Sequence, residues 1–314
     1  MVSKTNEEAL ETLIEKHLVD HQGYVEGVSA DFNKQYAIDT KLFWRFLENT
    51  QSKELEKLKR YGDDWLQKIL ERLDRLLKKH GILRLLKKGL SIDDTHFHLM
   101  YPVPLASSSR QVKQDFAENI FSCTRQIPYS NENPSETIDI ALFINGLPFA
   151  TLELKNPWTG QTARYHGQRQ YRSDRDNSQP LLQFARCLVH MAVDTDEVYM
   201  TTKLAGKDTF FLPFNKGNDG GAGNPPNPNG HKTSYLWEEL FTKDVIANII
   251  QHFVRLDGSD QDRSEKRTLF FPRYHQLDVV RKIIAHASEN GIGHRYLIQH
   301  SAGSGKSNSI AWLA

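Results

Sequence analysis

Cysteine is almost missing: Cys123 and Cys187 are the only two in 314 residues. That excludes a disulfide framework and any zinc site built from cysteines. No apolar run approaches the roughly 18–20 residues that span a bilayer. The opening MVSKTNEEALETLIEK is charged and lacks the apolar stretch of a secretory signal. An excess of either charge is missing too, since 40 Lys and Arg face 39 Asp and Glu. The resulting balance rules out a histone-like polybasic chain and leaves room for local basic patches. What is present, 39% hydrophobic and 25% charged residues, suits a globular chain with a real core. At roughly 100–200 residues per domain the length allows two domains. The composition reads as cytoplasmic, with no membrane segment.

Apolar spacing predicts a helix over 7–18 and a helical region over 52–90, which carries twelve Lys and Arg against six Asp and Glu. That basic region is either a solvated face with snorkelling side chains or a phosphate-facing helix. From about 96 to 155 the period shifts towards 2. FSCTRQIPYS, TIDIALFI and LPFATLELK read as strands, with Asn145-Gly146 as the turn between the last two. Residues 161–176 read as helical, and 187–194 and 197–204 as buried strands. The stretch 215–230 holds five Gly, three Pro and five Asn in sixteen residues and reads as a loop, with disorder one reading of it. A helix follows at 235–256, then a hydrophilic linker and domain boundary at 257–268. A helix over 274–288 and a short strand, Tyr296 to Gln299, complete the pattern. The expected class is α/β (α+β).

Two groups of residues carry chemistry. The first is Ser301-Ala302-Gly303-Ser304-Gly305-Lys306-Ser307, between an expected strand and an expected helix. Glycines there let backbone N–H groups turn onto phosphates, and the following helix N-terminus adds partial positive charge. Lys306 would reach the β- and γ-phosphates and Ser307 would ligate Mg²⁺. The full pattern has glycine where this chain has His300, and an ordinary glycine-rich turn is the plainer alternative. Upstream, Phe270-Phe271-Pro272-Arg273-Tyr274-His275-Gln276 is similar to an element of helicases and translocases whose glutamine contacts adenine.

The second is Asp139 in one expected strand and Glu153-x-Lys155 in the next. Period 2 puts Glu153 and Lys155 on one face and Leu152 and Leu154 on the other. Two carboxylates suit Mg²⁺, which generates hydroxide and stabilises the phosphorane, while Lys155 would orient water or offset developing charge. Register decides whether they meet. A two-residue turn pairs Ile144 with Leu147 and sends Glu153 to the face opposite Asp139. The metal reading therefore requires an odd-length loop, such as a three-residue one, or a β-bulge.

Both groups, in this order, resemble the N-terminal part of the restriction (motor) subunit of type I restriction–modification enzymes. IDIALFINGLPFATLELKNP, PLLQFARCLVHMAVDTDEVYMTTKL and FLPFNKG carry the likeness, over roughly residues 95–314. The resemblance implies a PD-(D/E)xK restriction-endonuclease-like mixed sheet over residues 1–256, followed by the start of a RecA-like motor over 269–314. It implies Asp139, Glu153 and Lys155 as the nuclease triad, with Asp139 and Glu153 as metal ligands. Gln276, Gly303, Ser304, Gly305, Lys306 and Ser307 would begin the ATPase. A Gln/Tyr pair on the next helix would assist, either Gln168 and Tyr171 or Gln161 and Tyr165. Arg164, Arg169 and Arg172 on that segment either touch DNA phosphates or form a solvated face.

The implied function is Mg²⁺-dependent cleavage of unmodified double-stranded DNA after ATP-driven translocation, with methylation and specificity subunits as partners. S-adenosylmethionine would bind the methylation partner. Lys306 lies eight residues from the C-terminus, so the motor reads as severed. The alternatives are a translocase with a non-catalytic docking module and a non-enzymatic scaffold. His96 and His98 lack a visible third metal ligand, and Cys187 reads as a small buried hydrophobe.

Overall fold

The structure, a computed structural model, describes residues 2–60, 62–259, 262 and 266–314, with side chains from residue 7 onward. Part of the linker expected at 257–268 therefore lies outside the described residues. Helix α1 (Val2–Gln22) is followed by short strands β1 (Val25–Glu26), β2 (Phe32–Asn33) and β3 (Ile38–Asp39). Next come α2 (Thr40–Thr50), α3 (Ser52–Lys59), α4 (Trp65–His80), α5 (Ile82–Lys88), the hairpin β4 (Leu90–Ile92) and β5 (Thr95–Phe97), and α6 (Arg110–Ala117). The region expected to be helical over 52–90 is thus three helices. Positive-φ glycines at 81 and 89 separate α4 from α5 and α5 from β4. Helix α4 buries Ile69, Leu73 and Leu77, one stripe at helical spacing, and turns its lysines and arginines outward.

The centre is a mixed seven-stranded sheet. Strands β6 (Phe121–Pro128), β7 (Thr137–Ile144) and β8 (Leu147–Leu154) form an antiparallel meander. β1 joins β6 in parallel on one side. On the other, β9 (Val189–Val193) runs parallel to β8, followed by antiparallel β10 (Val198–Thr201) and β11 (Leu212–Pro213). The order is β1-β6-β7-β8-β9-β10-β11. All eight residues of β8 are buried, because both faces of the sheet are covered. One face packs into the main core through Ile140, Leu142, Ile144, Leu152 and Leu154. The other meets a smaller cluster containing Ala141, Phe143, Tyr171 and Phe211.

The chain then leaves the sheet through α7 (Lys243–Asn248), flanked by wide helical turns at Leu236–Leu240 and Ile249–Phe253. β12 (Arg255–Asp257) pairs with β13 (Thr268–Phe270), and α8 (Tyr274–Asn290) and α9 (Lys306–Leu313) close the chain. The loop at 215–230 has no helix or strand but is pinned by asparagines. Asn224 accepts from Lys216 N–H at 2.8 Å and donates to the Asp196 carbonyl at 2.8 Å. The strand expected at 296–299 does not form: that segment pairs with no neighbour, and Leu297 is 93% exposed. Extended backbone without a ladder partner has no reason to stay a strand.

The β7–β8 turn is the two-residue type, with Asn145 at φ +51° and Gly146 at φ +78°. Asn145 is fully buried, accepting from Ile120 N–H at 2.7 Å and donating to Leu99 O at 2.9 Å. At Gly146 a Cβ would sit 2.3 Å from the Asp39 carbonyl and 2.8 Å from Phe43. Gly146→Ala is therefore expected to lower stability by about 2–4 kcal/mol, from positive φ and the clash together. Chemical denaturation checks this, and a change within about 0.5 kcal/mol would contradict it.

Candidate active site

A tight turn pairing Ile144 with Leu147 would by itself leave Asp139 and Glu153 on opposite faces. The pairing shifts by one residue further along: Phe143 lies opposite Pro148, whereas Leu142 lies opposite Ala150. Phe149 is the extra residue, a β-bulge. Beyond it Ile140 pairs with Leu152, and the same register sets Asp139 level with Glu153. The turn is two-residue, and the bulge returns the carboxylates to one face. Asp139 Oδ2 accepts from Leu154 N–H at 2.7 Å, which fixes it across the two strands.

Glu153 is fully buried. Its carboxylate receives a two-pronged contact from Arg175, Nε to Oε1 at 2.9 Å and a terminal nitrogen to Oε2 at 3.0 Å. Burial first, and then the charge of Asp139, push the Glu153 carboxyl well above its ordinary range; Arg175 and Lys155 pull it back. Arg175 also lies 5.6 Å from the Tyr129 ring centre.

Lys155 is 5% exposed. Its ammonium donates to the Leu154 carbonyl at 2.6 Å and lies 3.5 Å from Glu7 Oε1 on α1. Burial, opposed by Lys155 and reinforced by Asp139, raises the Glu7 carboxyl. One turn on, Glu11 accepts from Arg125 at 3.2 Å and Gln126 at 2.9 Å, which anchors α1 to β6.

The segment after Lys155 forms wide helical turns at Ala163–Gly167 and Gln170–Asp174. Asp194 holds its start, accepting from Ala163 N–H at 2.7 Å. Of the two Gln/Tyr pairs, Gln168 and Tyr171 are buried, whereas Tyr165 is 67% exposed with Arg164 over its ring. The Tyr171 hydroxyl bonds Thr151 at 2.8 Å, and Thr151 bonds His190 at 2.7 Å. Tyr171 thus braces β8 two residues before Glu153. Arg172 donates to the Thr209 carbonyl at 2.9 Å and covers Phe211, which ties it to the fold, while Arg164 and Arg169 are exposed.

Among the described residues no group of three or more His, Cys, Asp and Glu side chains converges as a metal cage. The available donor set is the oxygen pair of Asp139 and Glu153. Two carboxylates completed by water suit Mg²⁺, and Asp139 and Glu153 Oε2 keep lone pairs beyond the bonds described, whereas both contacting Arg175 nitrogens crowd Glu153 Oε1. The residues fit the ion the sequence pointed to. His96 bonds Ser91 Oγ at 2.9 Å, and His98 stacks against Tyr101 at 5.6 Å. Cys187 is buried, its thiol pushed up to about 12 by desolvation.

A family profile described as type I restriction enzyme R protein N terminus matches residues 4–209. The chain belongs to this family. No curated protein matches the sequence. The match contains Glu7, Asp139, Glu153, Lys155, Gln168, Tyr171 and Arg175, and it ends before residues 301–307. No helix among the described residues is long and apolar enough to cross a membrane.

In that later segment Gly303 and Gly305 take φ of +73° and +78°, and Gly305 caps α9. Lys306 donates to the carbonyls of His300 and Ser301, both at 3.1 Å. Ser304 is buried and Ser307 exposed. Gln276 reaches the loop, but its amide is engaged within the chain: Nε2 donates to Ser304 O at 3.0 Å and Gly305 O at 3.1 Å, and Oε1 accepts from Arg273 N–H at 2.9 Å. A Cβ at Gly305 would lie 2.3 Å from that amide nitrogen.

Glu7, Arg175, Asp194 and Thr151 escaped sequence reasoning, since nothing in local spacing marks them. At Gly167 a Cβ would meet the Ala192 methyl at 2.9 Å and Lys155 Cγ at 3.6 Å. Gly167→Ala is expected to push the Gln168–Tyr171 turns off the sheet and cost about 1–3 kcal/mol. Denaturation together with hydrogen exchange at residues 163–174 measures it; unchanged stability and protection would contradict the packing.

Proposed function

We propose that the chain is the Mg²⁺-dependent endodeoxyribonuclease portion of an ATP-driven, DNA-translocating type I restriction enzyme. It would cut unmodified double-stranded DNA together with methylation and specificity subunits. The observation that carries this reading is the Phe149 bulge, which sets Asp139 level with Glu153 beside the buried Lys155.

Asp139 and Glu153 would hold the ion, Asp139 steadied by Leu154 N–H and Glu153 by Arg175. When bound, a divalent ion supplies positive charge to the phosphate and an acidified water as nucleophile. Lys155, fixed by the Leu154 carbonyl and Glu7, would orient that water or offset charge on the phosphate oxygens. Gln168 and Tyr171 would hold the helical turns against the sheet that bears the triad. Gly303, Ser304, Gly305, Lys306 and Ser307 would cradle ATP phosphates. Lys306 would exchange two backbone carbonyls for the phosphates, Ser307 would ligate Mg²⁺, and Gln276 would brace the loop. Its adenine contact would require those bonds to be remade. S-adenosylmethionine would act only through the methylation partner.

In the full-length protein assembled with its partners, Asp139→Ala is expected to abolish Mg²⁺-dependent cleavage and leave ATP hydrolysis in place. Lys306→Ala is expected to remove ATP hydrolysis. A plasmid-cleavage assay beside phosphate release separates the two. Persistent cleavage by folded Asp139→Ala would reduce the N-terminal domain to a docking or DNA-binding module.

A further inference from the structure

The charges around the carboxylate pair are unevenly matched. Lys155 faces Glu7, and Arg175 grips Glu153 by both oxygens. Asp139 receives the Leu154 N–H and makes no ion pair among the described residues. Arg175 is no loose surface cation. Its side chain is 12% exposed, its backbone N–H closes a turn on Gln170 O at 2.9 Å, and its guanidinium rests by the Tyr129 ring. Tyr129 is in turn fixed by its hydroxyl on Glu136 at 2.7 Å. A fully buried carboxylate is costly without a cation, and this side chain supplies one in a planar, two-donor fork.

We infer that Arg175 is the resident counter-ion of the nuclease site and competes with the divalent metal for Glu153, so that it sets how weakly the DNA-free protein loads metal. The inference rests on the proposed metal role of Asp139 and Glu153. Both cations are drawn to the same carboxylate, and each raises the electrostatic cost of the other. Arg175 is therefore a positioning residue, acting through Glu153.

The test is Mn²⁺ binding to the full-length protein without DNA, followed by electron paramagnetic resonance of free Mn²⁺. The quantity read is the part of the binding that Asp139→Ala removes. Arg175→Gln is expected to tighten that binding about tenfold, the order of one lost unit charge near the ion. Arg175→Lys, which keeps the charge but loses the fork, is expected to fall between Arg175→Gln and the wild type. Unchanged or weaker Mn²⁺ binding in folded Arg175→Gln would overturn the inference. If that variant does not fold, as judged by thermal unfolding, Arg175→Lys decides by the same criterion. Mn²⁺ binding undiminished in Asp139→Ala would instead remove the metal reading itself, and the inference with it.

Discussion

One inserted residue governs the site. The Asn145-Gly146 turn favours a two-residue hairpin, because both positions adopt positive φ and Gly146 has no room for a Cβ. That turn alone would direct Glu153 away from Asp139. Phe149 absorbs one residue in β8 and flips the parity of everything after it. Phe149 is fully buried in the main core, packed 6.2 Å from Phe241, so slipping it back would break that packing. The turn's geometry and the core's shape together put two carboxyl groups side by side.

Such a pair is expensive in a sheet covered on both faces, and the surroundings show how the cost is met. Arg175 comes from the helical turns beyond Lys155, and Glu7 comes from α1. The first helix is thus part of the site and not an appendage, anchored by Glu11 to Arg125 and Gln126 on β6. Tyr171, Thr151 and His190 form a buried polar chain beneath the same face. Desolvation holds His190 neutral, its value lowered to about 3. Charged side chains concentrate at one end of β7 and β8, where Asp139 is partly open to solvent.

The meander and its turn were legible in the sequence because period 2 and Asn-Gly are local signals. The bulge was legible only as a condition. With all eight residues of β8 buried, the apolar pattern fits either register and chooses neither. Arg175 and Glu7 were invisible for a different reason, since their partners lie 22 and 148 residues away in sequence. Gly81 splits α4 from α5 and Gly89 ends α5, breaks that the leucine spacing does not mark. Glycine and asparagine in the 215–230 loop signal backbone freedom in the sequence, whereas Asn215, Asn224 and Asn227 use their side chains to fasten it. The segment 296–299 has the apolar content of a strand but no neighbour to pair with.

The most direct measurement is anomalous diffraction from crystals of the protein soaked in Mn²⁺. A peak is expected between Asp139 and Glu153, with oxygen distances of about 2.0–2.2 Å, near those of Mg²⁺ sites. Glu153 should keep at most part of its contact with Arg175. A well-ordered site with no peak between these carboxylates, at Mn²⁺ concentrations that support cleavage, would contradict it.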